Sequence, residues 1–154
     1  MNPLNEEVIR FFQKQGCVIL SSIDSRGFPH SACKGIVKIN QDGSIYLLDA
    51  YRGKTLQNLK SNSSVNVTAF DEHKFIGYCL KGKARLLFKK ELSAEIIKAW
   101  EDRITDRLTQ RLLKNIRGEA KGQLRHPEVL LPDPEHMIVV AVEEVIDLTP
   151  QHLK

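Results

Sequence analysis

A small, mainly β fold, an antiparallel barrel of six strands with helices on its outside, is the class the sequence predicts, and three observations predict it. Turn signals follow one another closely: Asp24-Ser-Arg-Gly27, Asn40-Gln-Asp-Gly43 and Asp71-Glu-His-Lys74 separate apolar runs of strand length. Those runs do not alternate regularly with helical segments, which disfavours a parallel sheet built from strand–helix–strand units. Gly77 and Gly82 stand inside the long run Phe75–Phe88, where a bulge or bend would let a small sheet curl. At 154 residues the chain has room for one domain, 1–154, with a real core, and too little for two comfortable ones.

The elements follow in order. Asn5 precedes Glu6 and Glu7, a side-chain cap with acidic residues in the first turn, and Val8, Phe11 and Phe12 give the apolar side of a short helix that Gly16 stops. Cys17–Ile23 reads as a buried strand. Gly27 can take positive φ in the turn that follows. Phe28–Ile39 and Ser44–Ala50 complete an antiparallel meander of three strands. The next segment is a short helix with Leu56 and Leu59 on one face. Val65, Val67 and Ala69 then alternate with Asn66, Thr68 and Phe70, the period of a strand with unlike faces. After the Phe75–Phe88 strand, Ser93 opens a helical segment. Its Ile97, Trp100, Ile104, Leu108 and Leu112 recur at three- and four-residue spacing, with Gly118 as the stop. Residues 119–135 read as loop, broken by Pro127, Pro132 and Pro134, so 92–135 as a whole is a helical insertion. His136–Leu148 returns to strand character, with an irregularity expected at Glu143-Glu144.

Composition narrows the function. The hydrophobic fraction of 42% and charged fraction of 27% are ordinary for a folded domain. No run approaches the roughly 20 apolar residues of a membrane span, and the first residues lack the apolar core of a secretion signal. Cys17, Cys33 and Cys79 are odd in number and hold no Cys-x-x-Cys pair, which argues against a disulfide framework and a structural zinc site and points to a reducing cytoplasm. The five histidines are scattered without metal-ligand spacing, so no metal is expected. The net charge of +4 suits an anionic ligand and equally nucleic acid. Single-stranded nucleic acid is the weaker match, because aromatics are only 6% and do not interleave with cations on a strand face.

The stretch Tyr51–Asn62 (YRGKTLQNLKSN) concentrates the basic chemistry at a strand-to-helix turn. It is not a nucleotide-binding P-loop, because the position five before Gly53 is Leu48 rather than glycine. A simpler anion site needs less. Arg52 offers a fork of donors that matches phosphate oxygens, and Lys54 adds a point charge. Gly53 lets backbone approach a ligand closely, and Thr55 supplies a hydroxyl donor or caps the helix. The first helix amides add unpaired donors. Each unit charge pair ~4 Å apart contributes about 4 kcal/mol at an effective dielectric of 20. A solvated basic turn is the alternative, and spacing alone does not separate the two.

Asp24-x-x-Gly-x-Pro-His30 and Arg52-Gly-Lys-Thr-x-x-Asn-Leu-x-x-Asn62, followed by FIGYCLKGKARLL and MIVVAVEEVIDLTP, resemble the pyridoxamine 5′-phosphate oxidase-related family of flavin-binding split barrels over residues 5–90 and 136–150. The resemblance implies a six-stranded split barrel with peripheral helices that forms a homodimer, with an FMN in each of two grooves at the subunit interface. It puts the FMN phosphate on Arg52, Gly53, Lys54 and Thr55, and the flavin ring beside Ser31, Ala32, Cys33, Lys34 and Gly35. Lys34 would then either stabilise negative charge on the reduced ring or be an ordinary strand lysine. Asn58 would support the phosphate turn or lie on the helix surface. The true oxidase closes with an arginine-rich segment ending Arg-Leu-His-Asp-Arg, whereas this chain ends LTPQHLK and carries Lys-Thr where the oxidase shows Arg-Lys. The resemblance therefore implies an FMN-dependent oxidoreductase acting on another small molecule, the alternative being a non-catalytic flavin, haem or deazaflavin binder or redox sensor. No protein side chain is singled out as catalytic, which suits a protein whose cofactor carries the chemistry. Cys33 reads as a small buried residue, His30 as a substrate contact or a barrel-rim residue, and Trp100 as packing rather than cofactor stacking.

Overall fold

The computed structural model describes residues 3–49, 53–118 and 135–154. Six strands, β1 (Val18–Ile23), β2 (Pro29–Ile39), β3 (Ser44–Leu48), β4 (Ser64–Asp71), β5 (Ile76–Phe88) and β6 (His136–Asp147), and three α-helices, α1 (Glu6–Gln13), α2 (Lys54–Ser61) and α3 (Ala94–Ile116), make up its regular structure. All strand neighbours are antiparallel, in the order β1-β2-β3-β6-β5-β4, and β4 pairs back to β1 to close a barrel. This is the architecture expected from the spacing of the turns.

Local chemistry fixes the ends of the elements. Asn5 Oδ1 accepts the Val8 amide at 2.9 Å, capping α1. Asp24 Oδ1 accepts the amides of Arg26 and Phe28 at 2.8 and 3.0 Å, while Gly27 takes φ +84°, which a side chain would resist. The Asn40–Gly43 turn is the same device, with Gly43 at φ +88°. The barrel interior is filled by alternate residues, among them Leu20, Ile45, Leu47, Val67, Leu80, Ile138, Val140 and Val142, all fully buried. Leu4, Val8, Ile9 and Phe12 join that core, and the Leu4 amide bonds the Gln41 carbonyl, so α1 sits at the end of the barrel where β2 turns into β3.

Outside the barrel, Leu92, Ile96 and Trp100 pack on Met137, with Val37, Tyr46 and Leu87 around them. The expected stripe is shifted by one residue here: Ile96 is 6% exposed and Ile97 36%. Leu92, Ile96 and Trp100 stand four apart and form the seam, while Ile97 lies about 100° further round the helix. Towards the end of α3 the side chains of Leu112, Leu113 and Ile116 are exposed. The loop expected over 119–135 lies outside the described residues except for Glu135.

Gly82 and the Glu143 region, read separately as irregular, face each other. Lys81 pairs with Glu144, whereas Gly82 pairs with Val142, leaving Glu143 as an extra residue in β6. A Cβ on Gly82 would fall 2.1 Å from the Ala141 carbonyl oxygen, so this bulge tolerates no side chain. A Cβ on Gly77 would fall 2.4 Å from Phe70 Cδ2, an exposed ring that can rotate away. Gly82→Ala should therefore destabilise the fold by about 1–3 kcal/mol or more, the range for overpacking, and Gly77→Ala by clearly less. Denaturant unfolding of the two variants checks the ranking.

Candidate functional site

The head of α2 is built differently from that of α1. Its cap is Gly53, which has no side-chain acceptor, and its first turn holds no acidic residue. The first amides of a helix lack intrahelical partners, and Gly53 and Lys54 are exposed there. A Cβ on Gly53 would meet nothing within 4 Å, so the space before the helix is open. Arg52, the other expected phosphate ligand, lies outside the described residues.

The face that α2 turns to the barrel is mixed, with Leu59 packed against the barrel core beside two buried polar side chains. Thr55 and Asn58, three apart, are 2% and 3% exposed, while Leu56 and Leu59, the expected apolar face, are only half-buried. Asn58 Nδ2 donates to Ser22 Oγ of β1 at 3.0 Å. Asn58 is thus an anchor rather than a helix-surface residue. Thr55 likewise points its side chain inward, leaving its amide and Lys54 as the groups it and its neighbour present at the helix head. The reason is register: Ser22 shares the inward face of β1 with Leu20, and a buried hydroxyl there needs a polar partner.

The five residues expected beside a flavin ring divide between two faces. Ala32 pairs with Leu20 and Lys34 with Val18, both buried, so Ala32 and Lys34 share the inward face of β2. Ser31, Cys33 and Gly35 alternate with them and share the outward face with Ile19, which is 43% exposed. Ser21 and Ser31 join their hydroxyls at 3.0 Å on that shelf. Cys33 is exposed, not buried, with Arg107 of α3 reaching this face only beside Gly35.

Inward, Lys34 forms a network that the sequence did not disclose. Its Nζ bonds Asp49 Oδ1, and Asp49 Oδ2 bonds His136 Nε2 at 2.7 Å. The side chains are 13%, 0% and 4% exposed respectively. Asp49 follows the last residue of β3 and His136 opens β6, so the trio joins β2, β3 and β6 where the chain departs towards α2. The available signals were a lone acid closing the run SIYLLD and a lone histidine opening MIVVAV. His136 also lines a cavity of about 490 Å³ between α2 and the ends of β5 and β6, with Leu56, Lys60, Phe88, Lys89 and Lys90. That volume falls in the range of about 300–1,000 Å³ typical of small-molecule sites. Its wall combines apolar surface with three lysines and the acidic Glu135.

A buried carboxylate between a lysine and a histidine is stable only as a set. Asp49→Asn strands the Lys34 charge and should cost about 3–5 kcal/mol. Adding Lys34→Met to it should recover a substantial part, and a double-mutant cycle in urea reads the coupling.

The fold and the chain can be placed among known proteins. No helix among the described residues is long and apolar enough to cross a membrane. No curated protein matches the chain. Solved structures do share its fold. HupZ of Group A Streptococcus superposes with a TM-score of 0.66 at 14% identity, covering 95% of each chain. A Clostridium acetobutylicum protein of the pyridoxinephosphate oxidase family, related to general stress protein 26 of B. subtilis, gives 0.57 at 15% identity over 96% of this chain and 95% of that one. HutZ, the heme storage protein of Vibrio cholerae, gives 0.53 at 18% identity over 95% and 94%. At such identities these likenesses show the fold alone. The sequence model of pyridoxamine 5′-phosphate oxidase, in contrast, matches residues 4–148. With nearly the whole chain matched, the protein belongs to the pyridoxamine 5′-phosphate oxidase family.

Proposed function

We propose that the protein is an FMN-binding flavoprotein, a homodimer that passes electrons or hydride through bound flavin to or from a small molecule. The observation that carries this reading is the head of α2, with a glycine cap that brings no side-chain acceptor to the first amides, an exposed Lys54 and no acid in its first turn. That donor set fits a phosphate monoester. Arg52, by sequence, would complete it.

FMN bound there would supply reversible hydride and electron transfer, and the protein's part is to hold, orient and shield it. Lys54 and the first amides of α2 hold the phosphate. The Asn58–Ser22 hydrogen bond ties that helix to β1, so the phosphate seat moves with the barrel rather than as a loop. Ser31, Cys33 and Gly35 offer the outward shelf to the ring. Lys34 is already neutralised by Asp49, so its action on the ring requires release from that carboxylate, and its stronger role is to fix the barrel wall behind the site. The cavity lined by Lys60, Lys89 and Lys90, with Glu135 also on its wall, gives room for a small polar substrate. The reducing cytoplasm is the compartment this reading carries with it.

A second reading, binding of haem or storage without turnover, is favoured by the likeness to HutZ, which is a heme storage protein. The four described histidines differ in availability: His73 and His152 are exposed, His30 is half-exposed at the start of β2, and His136 Nε2 is held by Asp49.

Absorption spectra of the purified protein, followed by titration with FMN and with haemin, separate the two. FMN binding with a thermal shift supports the first reading. A Soret band on haemin addition with no response to FMN supports the second. Lys54→Ala should weaken FMN by about 10–100-fold, as expected for a charge-assisted bond worth roughly 1.5–3 kcal/mol, and should leave riboflavin, which lacks the phosphate, nearly unchanged. Equal losses for the two ligands would remove Lys54 from the phosphate seat.

A further inference from the structure

We propose that the cavity between α2 and the ends of β5 and β6 is a binding site for a small phenolic compound, whose hydroxyl donates a hydrogen bond to His136 Nδ1. That such a ligand is the redox partner rests on the flavin reading above; that it binds does not.

The cavity lies at one end of the barrel. Phe88, the last residue of β5, pairs directly with His136, the first of β6. His136 shares its phase with Ile138 and Val140, which are fully buried inside the barrel. Residues directly opposite in a ladder project to the same face, and the two rings lie with centroids 6.2 Å apart and planes at 50°. α2 is fixed at the same end, where Asn58 bonds Ser22 near the end of β1. Its Leu56 and Lys60, four apart and so on one helix face, line the cavity. The Lys89 amide donates to the Glu135 carbonyl at 2.8 Å, which holds the chain after β5 against the start of β6.

The wall is graded from apolar and buried to charged and exposed. Phe88, 49% exposed, and the half-buried Leu56 offer apolar surface to a flat ring. Lys60, Lys89, Lys90 and Glu135 are all exposed and carry both signs, so the charge lies at a solvated rim. The buried polar member of the wall is His136.

Asp49 sets the state of that imidazole. Its Oδ1 accepts from Lys34 Nζ. A carboxylate oxygen only accepts, so the proton in the 2.7 Å contact of Oδ2 with His136 belongs to Nε2. In the neutral ring Nδ1 is then the acceptor. The ring's hydrogen bonding runs through Nε2 alone. Among the described residues only Trp100 Nε1 is a fully buried side-chain polar atom without a partner. His136 Nδ1 therefore reaches open space, and the open space this residue lines is the cavity. A phenol meets both demands, with its O–H directed to Nδ1 and its ring against Phe88 and Leu56.

The test is titration of the full chain, labelled with nitrogen-15 at histidine, with phenol and with toluene, which has the same number of heavy atoms and no hydroxyl. NMR should show His136 as the Nε2–H tautomer, with Nδ1 shifted by phenol and much less by toluene. His136→Phe keeps a ring in place and leaves Asp49 its bond to Lys34. It should weaken phenol about 2–10-fold, the worth of one net hydrogen bond, and leave toluene unchanged. Leu56→Trp, which fills the cavity from α2, should abolish binding of both. An Nδ1–H tautomer, phenol that leaves Nδ1 unmoved, or equal losses of the two compounds in His136→Phe would overturn the proposal. The first two outcomes are read on the wild-type protein and need no variant to fold. A parallel titration with FMN keeps the two readings apart. Phenol binding without FMN binding removes the flavin reading and leaves this site standing, and FMN binding without phenol binding does the reverse.

Discussion

One buried carboxylate organises the functional end of this barrel. Asp49 is fully buried between the ammonium of Lys34 and the ring of His136. Removing such a charge from water is costly, and only the two partners together with their hydrogen bonds offset it. Because the three residues come from β2, from the end of β3 and from the start of β6, the carboxylate is satisfied only when those strands are correctly assembled. It also fixes the point from which the chain leaves β3 for the basic turn.

The helix that leaves this point acts as a platform. A helix as short as α2 is marginal on its own, and it presents no large apolar face. Its attachment combines the Asn58–Ser22 hydrogen bond and the buried Thr55 with Leu59 packed on the barrel core. This leaves the opposite side and the N-terminal end for a ligand. The same helix contributes Leu56 and Lys60 to the lysine-walled cavity reached by His136. The head of α2 and the cavity are thus two parts of one surface, with the Asp49 network behind it.

The sequence disclosed those features that are local. Asn5, Gly27 and Gly43 each announce a cap or turn through their own backbone and side-chain chemistry, and the structure uses each as expected. The alternation of Val65, Val67 and Ala69 marked an inward face that is indeed buried. What stayed hidden depends on partners far apart in the chain. Asp49 and His136 are 87 residues apart, and nothing near either one names the other. The phase of α3 was set by Leu92, just before the helix, so Ile96 rather than Ile97 faces the barrel. Periodicity placed Cys33 in a strand, but it does not say which face of a strand will be covered. Asn58 looked like a surface residue because its partner, Ser22, belongs to a strand 36 positions earlier. Gly82 and Glu143 were each visible as a break in pattern, and only pairing revealed that they are two sides of one bulge.

Closure of the sheet has a consequence for how copies of this protein can meet. With β4 hydrogen-bonded to β1, each of the six described strands has a neighbour on both sides, so none offers a bare rim of main-chain donors and acceptors for another molecule to extend. Any contact between copies would then be made by side chains on the outside of the barrel rather than by strand pairing. Such a contact would be adjustable one residue at a time, without disturbing a single rung of the ladder.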